Sequence, residues 1–201
     1  MKLGPKYKIA RRLGAPVFEK TQTQKFVLRS EKKRPKKFTK PKSEFGIQLN
    51  EKQKARFTYV LTEKQFSNYV KEALAKKSNN SAQIIFSFLE LRLDNVVSRM
   101  GFSPTRLGSR QMVSHGHIMV NGKRATTPSR RLKIGDVISI RPESLDKPLF
   151  SGLDERIKNT TVPSWIKSDF NNKKAEIVGI PQLAGTDVMF DLTSVIEFYS
   201  R

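Results

Sequence analysis

Apolar positions are most regular between residues 90 and 143, where they predict two short helices, a hairpin and a closing strand. The first helix shows the i, i+3, i+4, i+7 spacing of one buried face, at Leu93, Val96, Val97 and Met100. Gly101 follows where such a helix ends. Either Ser103 or Thr105 is then placed to cap the second helix.

The β part of this region is announced by its turns. In the run HIMVNGKRA an apolar strand and a basic strand flank Asn121-Gly122, which favours a two-residue hairpin turn. Residues 137–141 predict a further strand, entered through a turn at Gly135-Asp136. Helices and short strands together predict a small α+β module.

Four arginines lie on the two predicted helices rather than in the turns. Arg92 and Arg99 are seven residues apart on the first helix. Arg106 and Arg110 are four apart on the second, so the members of each pair share a face. A guanidinium bridges two phosphate oxygens, so this placement predicts a phosphate-binding surface. Asp94 is expected to orient arginines or cap a turn, not to act as a catalytic base.

Residues 43–89 carry a helical pattern throughout. Asn50 is a candidate cap for a first helix over 51–60, a second helix begins near Glu63, and a third begins at Ser81. The aromatic side chains of this segment are expected in the core.

The last segment, residues 145–201, has a different pattern. It predicts a short helix within 151–159 and strands over 174–180 and 188–199. Trp165, the one tryptophan, is expected to be packed.

Charge is distributed unevenly among these segments. The 201 residues carry 39 Lys and Arg against 18 Asp and Glu, a net charge of +21. Net charge is +13 over residues 1–42, +3 over 43–89, +6 over 90–144 and −1 over 145–201. Such a balance favours a polyanionic partner, because each neutralised phosphate releases counterions. An anionic membrane is disfavoured, since no apolar run approaches about 18 residues.

The first 42 residues contribute the largest share of this charge. Their run SEKKRPKKFTKPK has almost nothing apolar to bury and predicts a loosely attached arm. One interpretation is a solubilising tail. The favoured one is an arm that orders on nucleic acid, because it has apolar anchoring points at Tyr7, Ile9, Leu13, Phe18 and Phe26.

Patterns for catalysis and metal ligation are missing from the sequence. The chain has no cysteine, and no GxxxxGKS/T, GxGxxG, HExxH or GxSxG motif occurs. His115 and His117 are the two histidines, and a zinc ion needs further ligands. We therefore predict no enzyme, no metal and no cofactor, with both histidines as hydrogen-bond donors to RNA.

The blocks RLDNVVSRMGF and SRQMVSHGHIMVNGK resemble the RNA-binding module of the family of bacterial-type small-subunit ribosomal protein four. LGPKYKIARRLG and GIQLNEKQKARFTYVLTEKQFSNYVKEA are similar to the N-terminal parts of that family, and VIEFYSR is similar to its closing strand. The resemblance covers nearly the whole chain in order. The module alone is less specific, because related modules occur in pseudouridine synthases, tyrosyl-tRNA synthetases and heat-shock RNA-binding proteins.

The resemblance implies an α+β fold in three parts. The module, residues 90–144, is inserted into a discontinuous helical domain, residues 43–89 plus 145–201, which C-terminal strands close. A basic extended arm, residues 1–42, precedes it. Some family members carry four zinc-ligating cysteines near the N-terminus. This chain has none, so no zinc is expected and RNA contacts are expected to order the arm.

The resemblance also implies a function and partners. The expected protein is a structural constituent of the small ribosomal subunit that binds 16S-type rRNA early in assembly, at a multi-helix junction of the 5′ domain. Expected neighbours are ribosomal proteins five and three and the mRNA at its entry channel, with a contribution to translational accuracy alongside protein five. The expected location is the cytoplasmic ribosome of a bacterium, or alternatively the plastid stroma. A stand-alone RNA chaperone or RNA-modifying factor carrying the same module is the other functional class.

The residues expected to contact RNA are the helix arginines, residues around the hairpin, and cations of the N-terminal segments. They are Arg92, Arg99, Arg106, Arg110, His115, His117, Asn121, Lys123, Arg124, Arg130, Arg131, Lys133, Lys6, Lys8, Arg11, Arg12, Lys52, Lys54 and Arg56. A-form RNA hides its base edges in a deep groove, so we expect these residues to recognise phosphates, 2′-hydroxyls and junction shape.

Overall fold

The computed structural model describes residues 3–24, 26, 43–76, 78, 80–183 and 188–201. The chain divides into two units. The helical unit comprises residues 1–85 and 183–201, and the sheet unit comprises residues 86–182.

Helices and strands alternate unevenly along the described residues. The α-helices are α1 (Lys6–Leu13), α2 (Glu44–Thr58), α3 (Glu63–Ala75), α4 (Ser81–Glu90), α5 (Leu93–Arg99), α6 (Arg106–Ser114), α7 (Leu153–Lys158) and α8 (Leu192–Ser200). The strands are β1 (Ile118–Val120), β2 (Lys123–Ala125), β3 (Val137–Ile140), β4 (Ile166–Asp169) and β5 (Lys174–Ile177). Short 3-10 turns lie at Glu19–Thr21, Pro142–Ser144 and Pro148–Phe150.

Helix α2 begins earlier than its sequence pattern predicts. The hydroxyl of Ser43 accepts a hydrogen bond from the backbone N–H of Gly46 at 3.3 Å, so Ser43 is the cap. The prediction of Asn50 as cap is wrong: its side-chain amide donates to the carbonyl of Leu13 at 3.2 Å. The predicted start of α3 near Glu63 is confirmed.

Residues 3–24 are not an extended arm, so that prediction is wrong for this part of the chain. Helix α1 and the turn after it bury apolar side chains against α2. The buried residues of this cluster are Ala10, Leu13, Val17, Phe18 and Phe57. Ala10 and Leu13 are three residues apart on α1, so they lie on one packed helical face. The free energy gained by this burial outweighs the repulsion among the exposed cations. The run at residues 30–42 lies outside the described residues.

The C-terminal segment also corrects a prediction. Residues 192–200 form a helix, not the strand predicted over 188–199. Asp191 caps it, since its carboxylate accepts the N–H groups of Thr193 and Ser194 at 2.9 and 3.0 Å. Leu192 and Val195 are both buried, three residues apart as on one helical face. The helical unit is therefore closed by α8, which packs along α2, and not by strands.

The sheet unit contains one antiparallel sheet in the order β2-β1-β3-β5-β4. The predicted hairpin is confirmed: Asn121 and Gly122 have φ of 52° and 74°, and Val120 pairs with Lys123. Two positive φ values match the type I′ turn that Asn-Gly favours. One face of the sheet is buried, and α5, α6 and α7 contribute to the same core.

Strands β4 and β5 group with the module, which differs from the predicted domain division at residue 145. Ile138 of β3 pairs with Ala175 of β5, and Ile166 of β4 pairs with Ile177 of β5. All four side chains are buried in the sheet unit's core. Residues 145–182 thus complete the hydrophobic face that the hairpin and β3 begin.

Candidate nucleic-acid interface

The corner between α5 and α6 brings the two arginine-bearing helices together. Gly101 ends α5 in the left-handed conformation, with φ of 74°, and an added Cβ would lie 2.5 Å from the hydroxyl of Thr160. Thr105 caps α6, because its hydroxyl accepts the N–H of Gly108 at 3.0 Å. Of the two caps considered, the structure selects Thr105, which makes Arg106 the first residue of α6.

A buried carboxylate lies beneath this corner. Glu90 is 1% exposed, and its two carboxylate oxygens accept hydrogen bonds from Arg99 at 3.0 and 2.8 Å. The side-chain amide of Asn95 also donates to Glu90, at 2.9 Å. The oxygen of the same amide accepts from Nε of Arg106 at 2.9 Å. One acid and one amide therefore hold arginines from both helices.

A second carboxylate, Asp94, serves the other two arginines. Arg92 donates to both its oxygens, at 2.9 and 2.7 Å, and a guanidinium nitrogen of Arg110 lies 3.4 Å from it. Asp94 thus orients arginines, as its position in the sequence suggested. Arg92 is 0% exposed, so the expectation that it lies on an exposed helical face is wrong. The charge of Arg92 is balanced by Asp94 inside the protein, because a buried guanidinium is costly unless it is paired.

Residues 128–132 pair with the start of α5 and set further cations beside it. The N–H of Leu93 donates to the carbonyl of Arg130, and the N–H of Leu132 donates to that of Leu91, both at 2.9 Å. These contacts satisfy backbone groups that a helix start leaves unpaired. Arg130 and Arg131 are exposed, and the guanidinium of Arg131 lies 4.0 Å from the centre of the Phe88 ring.

The hairpin presents its own cations next to the end of α6. Lys123 and Arg124 are exposed on β2. A guanidinium nitrogen of Arg124 donates to the carbonyl of His115 at 3.3 Å. The side chain crosses Gly116, where φ is 75° and an added Cβ would collide with the guanidinium. Glycine is therefore required at this position for Arg124 to lie against the helix end.

The two histidines have different environments. His115 is exposed, whereas His117 is half-buried, with Nδ1 lying 3.0 Å from the hydroxyl of Ser144. The pKa of His117 is lowered, first by burial and then by nearby positive charges. Those charges are Lys147, His115, Arg124 and Arg141. The neutral form of His117 therefore persists to a pH below its ordinary pKa. Lys147 and Arg141 are further basic groups here that were not predicted from the sequence.

Asn121 and Lys133 lie on either side of one carboxylate. The amide of Asn121 donates to Asp136 at 2.8 Å, and its oxygen accepts the N–H of Val137 at 2.8 Å. The backbone N–H of Lys133 also donates to Asp136, at 2.8 Å, while its side chain is exposed. Asn121 therefore ties the hairpin turn to β3, a folding role that was not predicted.

Within the helical unit, the candidate cations fall into two groups. Lys8, Arg11 and Arg12 are exposed on α1, and Lys6 is half-buried there. The cations of α2 instead contact carboxylate or amide oxygens within the unit.

Lys52 is buried, which contradicts its expected exposure to phosphate. Its ammonium lies 2.8 Å from Glu63 and 4.3 Å from the centre of the Phe198 ring. The same carboxylate accepts the hydroxyl of Tyr199 at 2.7 Å. The pKa of Glu63 is lowered: burial, the largest influence, would raise it, but hydrogen bonds from Lys52 and Tyr199 outweigh it. Burial, followed by the bond to Glu63, raises the pKa of Tyr199.

The other two cations of α2 are partly exposed but paired. The ammonium of Lys54 lies 2.6 Å from Glu51. Arg56 donates through two nitrogens to the side-chain oxygen of Gln53, at 3.0 and 2.7 Å, and stacks 4.4 Å from the centre of the Phe57 ring. These contacts lie within α2 and stabilise it.

Neither a metal site nor a membrane-spanning helix is found among the described residues. The described residues contain no group of three or more histidine or acidic side chains placed to hold a metal ion. Among the described helices, none combines the length and apolar character needed to cross a bilayer.

Comparison with known families matches this geometry segment by segment. The family described as the ribosomal protein S4/S9 N-terminal domain matches residues 2–90. The S4 domain family matches residues 91–138, which contain α5, α6 and strands β1 and β2.

Full-length relatives extend the match to the rest of the chain. The small ribosomal subunit protein uS4 of Persephonella marina is 39% identical over 203 residues, which cover 98% of both chains. That of Aquifex aeolicus is 37% identical over 207 residues, covering 99% of this chain and 98% of the relative. That of Chlorobium phaeovibrioides is 40% identical over 159 residues, covering 79% and 78%. The chain therefore belongs to the bacterial-type family of small ribosomal subunit protein uS4.

Proposed function

We propose that the protein is a structural constituent of the small ribosomal subunit that binds 16S-type rRNA through the sheet unit. The observation that carries this proposal is the α5–α6 corner with the segment beside it. There Arg99, Arg106 and Arg110 are partly exposed and held by carboxylate or amide oxygens, and Arg130 and Arg131 are exposed alongside. The family is structural and non-enzymatic, so no catalytic step is proposed.

The mechanism we propose is recognition of backbone geometry. The groove that carries most sequence information in A-form RNA is too deep and narrow for side chains, so affinity comes from phosphates and 2′-hydroxyls. Guanidinium groups held at fixed spacings fit one arrangement of phosphates better than another. A multi-helix junction offers such an arrangement, whereas a regular duplex offers only its repeating backbone. As the family resemblance implies, we propose a junction of the 5′ domain as the binding site, where early binding would nucleate assembly.

A second set of contacts is proposed for α1 and for the N-terminal basic run. Lys8, Arg11 and Arg12 are exposed on one short helix that buries Ala10 and Leu13, and Lys6 is half-buried on the same helix. They would add sequence-independent attraction to phosphate. The run at residues 30–42 would contribute in the same way.

The protein neighbours are proposed from the family resemblance, and the charge distribution supports a protein contact. Residues 145–201 have a net charge of −1, which suits a protein surface better than RNA. We propose that residues around 165–199 face ribosomal protein five, with protein three and the mRNA entry nearby and a contribution to translational accuracy. The proposed location is the cytoplasmic ribosome of a bacterium, with a plastid ribosome as the alternative. Crosslinks from this region that reach only RNA would contradict the protein contact.

The central test pairs two arginine substitutions with a control. Arg106→Ala with Arg110→Ala should weaken binding to an rRNA junction fragment and reduce the slope of log K against log salt by up to about 2. Lys167→Ala with Lys174→Ala removes the same charge from exposed positions on β4 and β5 and should leave binding nearly unchanged. An unchanged slope in the arginine variant would remove the α5–α6 corner from the interface.

A stand-alone RNA chaperone is the competing function, and it makes a different prediction. A chaperone would bind unrelated structured RNA as tightly as the rRNA junction at the same salt concentration. A ribosomal constituent should prefer the junction and should remain with small subunits during sedimentation after a high-salt wash. Loss of the protein in that wash, together with equal affinity for both RNAs, would favour the chaperone.

A further inference from the structure

Two acids lie within the surface proposed to bind a polyanion. Glu90 is 1% exposed and Asp94 is 5% exposed. Each would repel nearby phosphate. Asp94 is accounted for by the buried guanidinium of Arg92, with which it pairs, whereas Glu90 pairs with Arg99, which is partly exposed. Both carboxylates are instead fully engaged by arginines of α5 and α6 or of the residue before α5. Their cost to electrostatic attraction calls for a compensating role.

Asn95 shows what that role is. Its amide nitrogen donates to the backbone carbonyl and to the carboxylate of Glu90, at 3.0 and 2.9 Å. These two bonds fix which end of the amide is nitrogen, so its oxygen is directed at Nε of Arg106. Asn95 is 3% exposed and cannot turn freely. The orientation of the Glu90 carboxylate is thus transmitted to an arginine on another helix without any added charge.

We infer that Glu90 and Asn95 are positioning residues that hold Arg99 and Arg106 at one fixed spacing, so that the pair selects RNA by the separation of its phosphates. This inference rests on the proposed rRNA-binding function. A long side chain that is already held loses less freedom when it binds, so the fixed pair favours RNA that matches its spacing. RNA of another shape gains only the charge attraction. The two residues therefore act on discrimination, while the arginines supply the attraction.

The test uses Asn95→Ala, which leaves the net charge unchanged. Binding to the rRNA junction fragment and to an unrelated structured RNA is measured across a salt series. We expect affinity for the junction to fall by about threefold to tenfold. Affinity for the unrelated RNA and both salt slopes should stay the same, because no cation is lost. Equal losses on both RNAs, or no loss on either, would overturn the inference.

A double-substitution series separates positioning from a general structural effect. Asn95→Ala added to Arg106→Ala should cause no further loss, because the residue being positioned is gone. Asn95→Ala added to Arg130→Ala should multiply the two losses, since the described contacts of Asn95 do not include that side chain. Multiplied losses in both combinations would overturn the positioning role.

Glu90→Gln gives an answer even where Asn95→Ala fails to fold. This substitution keeps the size of the side chain and raises the net charge by one. Attraction by charge alone predicts tighter binding to both RNAs. The inference predicts weaker preference for the junction despite the added charge, and preserved preference would overturn it. If Arg106→Ala leaves junction binding unchanged, both the proposed interface and the inference fail. If Arg106→Ala weakens junction binding but Asn95→Ala and Glu90→Gln leave the preference for the junction unchanged, only the inference fails.

Discussion

Helix α2 and the segment 128–133 contain the same kind of residue and use it in opposite ways. Lys52, Lys54 and Arg56 of α2 each contact a carboxylate or amide oxygen within the helical unit. Arg130 and Lys133 are exposed in the sheet unit, and Asp136, the next acid along the chain, is engaged by backbone and amide groups. Local acids, and not net charge, therefore decide which cations are paired within the protein and which remain exposed.

The difference has a simple origin in spacing. Glu51 lies three residues before Lys54 on the same helix, so their side chains meet. Glu63 begins the next helix and reaches Lys52 across the turn. Residues 128–133 contain no acidic residue and form no helix, so no carboxylate within the segment pairs with their cations.

The largest effect is expected from the cation that lies deepest. Arg92→Ala should lower the free energy of unfolding of the sheet unit by about 3 kcal/mol, because Asp94 would keep a buried charge with only its longer contact to Arg110. Urea denaturation measures this change. Arg130→Ala, at the centre of the segment 128–132 but exposed, should change stability by no more than about 0.5 kcal/mol. Equal stability losses would show that burial does not separate the two arginines.

The second effect concerns the buried lysine of α2. Lys52→Met should lower the free energy of unfolding of the helical unit by about 1–2 kcal/mol, because Glu63 and the ring of Phe198 lose their cation. Affinity for rRNA should not change. Lys64→Met at an exposed position of α3 is the control of equal charge. Reduced RNA affinity with intact stability would place Lys52 among the RNA contacts after all.

The third effect reverses the second. Arg130→Ala with Lys133→Ala should leave the melting temperature nearly unchanged and reduce the salt slope of RNA binding by up to about 2. Filter binding at several salt concentrations measures the slope. Lys54→Ala with Lys64→Ala removes equal charge from the helical unit and should reduce it much less. Similar slopes in both variants would mean that net charge alone governs binding.

The smallest effect is a dependence on pH. The pKa of Glu63 is lowered in the folded protein, so the unfolded state takes up a proton first as pH falls. The stabilisation by Glu63 is therefore complete above its ordinary pKa of 4.5 and is lost as pH falls through the lower folded value. Glu63→Gln should flatten this part of the stability curve. Denaturation at a series of acidic pH values tests it, and parallel curves for the two proteins would contradict it.

Turn and helix signals in the sheet unit were readable from the sequence because they are local. Asn121-Gly122 adopts positive φ at both residues, and Gly101 ends α5, as their residue types predict. Two predictions of local elements failed. Helix α2 begins at Glu44 because Ser43 caps it, seven residues before the predicted cap. Residues 192–200 form a helix and not a strand, because an apolar run of this kind fits both periods.

The candidate interface shows the same division. Its arginines and its basic hairpin were predicted from residue type and spacing. The roles of Glu90 and Asn95 were not, although an acid and an amide near four arginines were a usable signal. Only the fold brings Arg106 against Asn95, because the two residues lie on different helices. Likewise, the burial of Lys52 depends on α8, which is more than a hundred residues away in the chain.

The family, many of the local elements and the excess of positive charge can be predicted from the amino-acid sequence. These follow from motif, period and composition, which act over a few residues or over the whole chain. Which cations are buried in ion pairs and which remain exposed is determined only by the tertiary structure. That choice depends on whether a carboxylate from another element lies within about 4 Å, since charges in a poorly solvated site must be paired. Arg92 and Lys52 are buried in such pairs, whereas Arg130 and Lys133 remain exposed.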